Sequence, residues 1–248
     1  MARRLGAASA NAVSSEPERL LATKLFLPQP PPGFVARRRL LDPLDEATAQ
    51  GVVLVCAPAG SGKTALLSDW ARRRQRPVSW LSLDPGDNDP ARFWRHVATA
   101  LDQVCPGIAS WADQLLCLPA SSFEGLVTVL INELADADVD TVLVLDDFHL
   151  VDSRPVHESV EFLVERRPQC LAVVLAGRAD PPLPLARLRA RAQLVATLPA
   201  DLVRARPRLS LARAIRAHLW GRADDVEPLR RRVSGGHGRP RMLGGRSR

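Results

Sequence analysis

The sequence predicts an α/β fold, a parallel sheet covered by helices on both faces. Three observations carry this. Several short runs are continuously apolar and β-branched, as in strands buried on both sides. These runs alternate with segments of helical spacing. The first run ends in a glycine-rich turn that opens a helix.

The elements follow in order. Residues 1–19 are small and polar and read as a disordered leader. Residues 20–40 contain Pro28-Gln29-Pro30-Pro31-Pro32-Gly33. Proline fixes φ and removes donors, so this stretch reads as an extended lead-in. Leu40 to Ala49 has room for a short helix. Val52 to Cys56 is the first buried-type strand, and Gly62 to Arg74 the helix after it, with Ala65, Leu66 and Trp70 on one side. Pro77 to Leu83 alternates like a strand. Asp89-Pro90 starts a helix carrying Phe93, Val97 and Leu101, with Asp84, Asp87 and Asn88 as candidate caps. Ser121 and Glu124 fit a capping box, and Phe123, Leu126, Val127, Leu130, Ile131 and Leu134 form one stripe behind it. Thr141 to Leu145 is a second buried-type strand, Pro155 to Arg167 a helix, and Leu171 to Ala176 a third buried-type strand. Leu185 to Arg191 closes as a short helix and Gln193 to Thr197 as a final strand.

Composition is that of an ordinary soluble protein. The 248 residues are 46% hydrophobic and 25% charged, with mean hydropathy −0.06. No run reaches the ~18 apolar residues of a membrane span, and the start lacks a signal-peptide core, so a cytoplasmic location is expected. Cys56, Cys105, Cys117 and Cys170 show no metal-ligand or disulfide spacing. Cys56 and Cys170 adjoin apolar runs and are expected to be buried thiols. Charge is uneven. Arg204 to Arg248 holds 13 arginines and three acids, while residues 1–203 carry 21 basic and 24 acidic residues. The organisation expected is therefore a leader (1–19), one domain (20–202) and an Arg-rich tail (203–248).

The strongest motif is Ala57-Pro58-Ala59-Gly60-Ser61-Gly62-Lys63-Thr64. It fits the phosphate-binding pattern G-x-x-x-x-G-K-[ST], with Ala57 at the first glycine. Its setting between a buried strand and a helix is the required one and predicts a P-loop NTPase. Glycines let backbone N–H groups turn toward phosphates, and the helix N-terminus favours their charge. Lys63 supplies a cation for the β- and γ-phosphates, and the Thr64 hydroxyl can ligate Mg²⁺. The second motif, Val142 to Leu145 followed by Asp146 and Asp147, places two carboxylates where ligands bind in open α/β sheets. Asp146 would hold Mg²⁺ directly or through water. Asp147 would orient or deprotonate the attacking water. Arg178, just past the third strand, would reach the γ-phosphate. The plainer reading is a surface arginine paired with Asp180. His149 either senses nucleotide or is a satisfied loop histidine. Arg37, Arg38 and Arg39 either approach the nucleotide or form a solvated run.

At these residues the chain resembles a known family. Leu21 to Leu25, the loop at 57–64, Trp80 to Asp84, Asp87 to Pro90, Leu145 to Leu150 and Ala176 to Arg191 are similar to the NTPase module of MalT-like, large ATP-binding regulators of the LuxR family. These are signal-transduction ATPases with numerous domains. The resemblance covers roughly residues 20–202. It implies ATP and Mg²⁺ as ligands, Asp146 and Asp147 as the Walker B pair and Arg178 as a sensor arginine. It also implies that Phe34-Val35-Ala36-Arg37 packs near adenine, so Val35 and Arg37 join the binding residues. ATP would favour a self-associating active form, and slow hydrolysis would reset it. DNA would be bound only by a C-terminal helix-turn-helix, for which the residues after 203 show no recognition-helix pattern, and no membrane partner is implied. With its abrupt Arg-rich end, the chain reads as a truncated or frame-shifted member.

Two other functions compete. One is an autonomous ATPase or small-molecule kinase; a kinase would need an acceptor site and usually an arginine-rich lid, and the segment between Asp84 and Asp140 shows no arginine cluster. A nucleic-acid binder would act through the basic tail and show salt-dependent affinity. The acidic balance of residues 1–203 weighs against it.

Overall fold

The computed structural model describes residues 20–74, 76–118, 122–190 and 194–198. The expected leader at 1–19 and tail at 203–248 lie outside these residues. The lead-in chain makes two 3-10 turns, Ala22–Leu25 and Arg38–Leu40. Then follow α1 (Leu41–Gln50), β1 (Val52–Cys56), α2 (Lys63–Arg73), β2 (Val78–Ser82), α3 (Pro90–Asp102), α4 (Ile108–Leu116) and α5 (Phe123–Ala137). The chain continues through β3 (Thr141–Asp146), α6 (Arg154–Arg166), β4 (Leu171–Gly177), α7 (Leu185–Ala190) and β5 (Leu194–Leu198).

All five strands run parallel, in the order β2-β3-β4-β1-β5. Every expected strand is present. The alternation along each strand divides two cores. Leu54, Leu81, Leu143, Leu145, Val173 and Leu175 face α3, α4, α5 and α6. Val53, Val55, Trp80, Val144 and Val174 face α1 and α2. Each fully buried Val or Leu stabilises the fold by roughly 1.5–3 kcal/mol relative to exposure. Both faces are thus consumed by the core, and only the carboxyl ends of the strands remain for chemistry. The register sets those ends level: Cys56 pairs with Gly177, and Ser82 with Asp146.

Four local expectations change. Asp89, not Asp84, Asp87 or Asn88, caps α3, accepting from Arg92 N at 2.7 Å. Asp84 and Asp87 instead cap a 3-10 turn at Pro85–Asn88. Ser122 caps α5, accepting from Gly125 N at 3.1 Å. Glu124 is therefore one position short of a capping box, and Ser121 lies outside the described residues. Cys56 and Cys170 are half-buried, because each stands at a strand end; Cys105 is the buried thiol. Finally, α4 was not foreseen.

The lead-in chain is fastened from two sides. Lys24 Nζ contacts Asp87 Oδ2 at 2.5 Å and Asp84 Oδ2 at 3.1 Å. Asp87 is fully buried and also meets His96 Nδ1 at 2.7 Å. Farther along, Ser68 Oγ donates to the Pro28 carbonyl, and Arg72 donates to the Leu27 and Pro28 carbonyls at 2.9 Å. These contacts lay the proline segment against α2. Among the described residues no helix is long and apolar enough to cross a membrane.

Candidate functional site

The loop after β1 is built for an anion. Ala57 N donates to Gly177 O at 3.1 Å, which extends the strand pairing one residue further. Ala57 is not among the positive-φ residues, so alanine serves where the pattern has glycine. Gly60 and Gly62 do need their identity, with φ of 73° and 84°. That left-handed region is costly for residues with a Cβ. Gly62 is the N-cap of α2 and offers no side-chain cap. The first N–H groups of the helix are therefore left for a ligand.

Lys63 is buried, and its Nζ donates to Ala57 O at 2.8 Å and Pro58 O at 3.4 Å. The loop curls around this ammonium. One turn position on, Thr64 Oγ1 donates to Asp146 Oδ2 at 2.8 Å. Asp146 Oδ1 accepts the Asp147 N–H at 3.0 Å. Burial pushes the Asp146 carboxyl above its usual range, with the Thr64 hydrogen bond opposing and the neighbouring Asp147 charge adding to the shift. A hydroxyl and a carboxylate, both hard oxygen donors, thus sit together where added positive charge would relieve a desolvated anion. That donor set fits Mg²⁺.

Asp147 adopts φ 58°, ψ 33°, a left-handed conformation rare outside glycine. Its half-exposed side chain and Arg178 both line a cavity of about 320 Å³ beside Gly60, Gly62, Lys63 and Thr64. Arg178 is not tied up with Asp180. That carboxylate lies against the Cys56 thiol, which burial and the Asp180 charge push up to about 12. Pro28, Gln29 and Pro31 also line the cavity.

Of the predicted residues, the structure brings Ala59, Gly60, Gly62, Lys63, Thr64, Asp147 and Arg178 to one cavity, with Asp146 behind Thr64. Ala57 and Pro58 support Lys63 from beneath. Ser61 is buried, and its carbonyl accepts from Arg37 Nη1 at 3.1 Å. Arg37 thus braces the loop at Ser61 and Gly62 and is not among the residues that line the cavity. Val35 is 77% exposed and stands apart from it. Sequence reasoning missed Pro28, Gln29 and Pro31 as lining residues. Their type carries no chemical signal, and only their fastening to α2 places them there.

His149 departs from the satisfied loop histidine of the plainer reading. Neither of its ring nitrogens has a hydrogen-bond partner.

With this geometry in view, comparison with known proteins decides the class. Residues 34–176, more than half of the chain, match the family described as AAA ATPase domain. The chain belongs to that family. This AAA ATPase domain is 33% identical over 175 residues to the HTH-type transcriptional regulator MalT of Vibrio cholerae serotype O1, covering 69% of this chain. It is 35% identical over 177 residues to the regulator of the same description from Cronobacter sakazakii, covering 71%. The chain spans about a fifth of the length of these relatives, 19% and 20%. Among solved structures it is similar to the Aeropyrum pernix ORC1 protein in complex with DNA. The TM-score is 0.46 at 16% identity, covering 76% of this chain and 50% of that one. By the family match and the MalT relatives, the domain is a MalT-like, nucleotide-binding NTPase module of the P-loop class.

Proposed function

We propose that this domain is an ATP-binding, slowly hydrolysing switch module of a transcriptional regulator. The observation that carries the reading is the Thr64–Asp146 contact at 2.8 Å beside a cavity shared by Lys63, Asp147 and Arg178. The amides of the 57–64 loop and Lys63 hold the β- and γ-phosphates. Thr64 and Asp146 hold Mg²⁺, which when bound offsets phosphate charge. Asp147 orients the attacking water or takes its proton. Arg178 donates to the γ-phosphate, as guanidinium forks suit phosphate.

A switch must hold ATP and ADP with different contacts, because a ligand shifts an equilibrium only by its differential affinity. The γ-phosphate is the difference, and Arg178 reads it. The ATP form is the self-associating one, and DNA contact belongs to another part of such a regulator, as the transcriptional role of the MalT relatives supports. The test is hydrogen exchange on the chain with Mg²⁺ and either nucleotide. Slower exchange with ATP than with ADP at residues 146–153 and 177–184 is expected. Identical exchange with both would contradict the switch.

A further inference from the structure

Asp147 and Arg178 extend from adjacent strands, and His149 packs between those strand ends. It sits on the 3-10 turn Phe148–Leu150. Its side chain is only 14% exposed, and neither Nδ1 nor Nε2 has a hydrogen-bond partner. An unpaired buried polar group costs roughly 1–3 kcal/mol, so one kept in place calls for a reason. Nδ1 stands 3.8 Å from Asp147 Oδ1, beyond hydrogen-bond distance but within a side-chain rotation of it.

Two devices fix the ring there. The left-handed backbone of Asp147 turns the chain so that residue 149 comes back beside residue 147. Asn88 pins the far end of the turn, donating to Leu150 O at 3.0 Å and accepting from Asp152 N at 2.7 Å and Ser153 N at 2.9 Å. The charged groups bearing on the ring are Asp147, Arg178, Lys63 and Asp152. Burial lowers the imidazole pKa, Arg178 and Lys63 add to that, and the two carboxylates oppose. The ring is therefore held neutral, with one nitrogen a donor and the other an acceptor.

We infer that His149 is a positioning residue for hydrolysis: its Nδ1–H donates to the Asp147 carboxylate when nucleotide fills the cavity and holds it toward the attacking water. No proton leaves the imidazole. This rests on the role proposed above for Asp147.

The experiment measures phosphate release and ATP affinity for the wild-type chain, His149→Asn, His149→Gln, His149→Phe, Asp147→Asn and the His149→Phe/Asp147→Asn double variant. His149→Phe is expected to lower kcat by about tenfold or more with ATP affinity unchanged. His149→Asn, whose amide reproduces Nδ1, is expected to be faster than His149→Gln, which reproduces Nε2. The double variant is expected to be no slower than Asp147→Asn. Wild-type turnover in His149→Phe, Gln faster than Asn, or multiplied losses in the double variant would each overturn the inference. Where the phenylalanine variant does not fold, the Asn–Gln order decides alone. Wild-type turnover in Asp147→Asn, or none in the wild-type chain, would remove the role of Asp147 and this inference with it.

Discussion

Thr64 and Asp146 stand 82 positions apart in the sequence, yet the threonine hydroxyl donates to the aspartate Oδ2 across 2.8 Å. The bond joins the first turn of α2 to the end of β3, over the end of β4 that lies between β1 and β3 in the sheet. A buried carboxylate is costly without a cation, and here only a neutral hydroxyl meets Oδ2. Asp146→Asn keeps the size and the hydrogen bond but removes the charge. Nucleotide-free Asp146→Asn is expected to melt at or above the wild-type temperature, because the raised carboxyl pKa marks a native state that disfavours the charge. The same variant is expected to lose the gain in nucleotide affinity from Mg²⁺. Scanning calorimetry and titration with and without Mg²⁺ check the two halves.

Asp147 separates stability from chemistry. Its φ of 58° costs on the order of 1 kcal/mol that glycine would not. Asp147→Gly is expected to fold as well as wild type or better and to bind ATP, but to release little phosphate. Denaturant unfolding and a phosphate-release assay on one preparation measure both effects.

Arg178→Ala is expected to weaken ATP binding more than ADP binding, by about 1–3 kcal/mol, as for a charge-assisted hydrogen bond. Calorimetry with each nucleotide checks it. Equal losses would return Arg178 to the cavity wall without a role in reading the γ-phosphate.

The Lys24–Asp87–His96 cluster predicts an acid limit. Burial alone would raise the Asp87 carboxyl, but hydrogen bonds from His96 and Lys24 hold it down at about 2. A depressed carboxyl pKa contributes stability that is present above the unfolded value near 4 and lost as pH falls through about 2. That contribution is about 2 kcal/mol. Lys24→Met removes one of several partners of the buried Asp87 carboxylate, with His96 and Arg92 remaining, and is expected to destabilise by about 1–3 kcal/mol. Its acid transition should move to higher pH in a circular-dichroism titration.

Much of this fold was legible because its strands are buried on both faces. Val52 to Val55, Val142 to Leu145 and Leu171 to Ala176 could satisfy their apolar runs only inside a covered parallel sheet. The loop was legible because Gly60, Gly62 and Lys63 stand at fixed spacing. Local rules erred by single positions, as at Ser122, where two adjacent serines offer the same cap. They could not see α4, whose N-cap is Gly107 and whose first free N–H groups are met by Asp102 from a preceding helix, at 2.8 Å and 3.1 Å. The missed parts of the site are long-range. Pro28, Gln29 and Pro31 reach the cavity through Ser68 and Arg72, and the carboxylates of Asp84 and Asp87 find Lys24 some 60 positions away.

Lys63 carries the central claim, that this cavity binds a nucleoside triphosphate. Among the described residues its ammonium bonds to the Ala57 and Pro58 carbonyls of its own loop, so its loss costs the fold little. The direct measurement is calorimetric titration of the 248-residue chain with ATP and Mg²⁺, wild type against Lys63→Ala, with melting temperatures taken alongside. Saturable binding to wild type, absent in a folded Lys63→Ala, is predicted. Equal ATP affinity in the two proteins would contradict it.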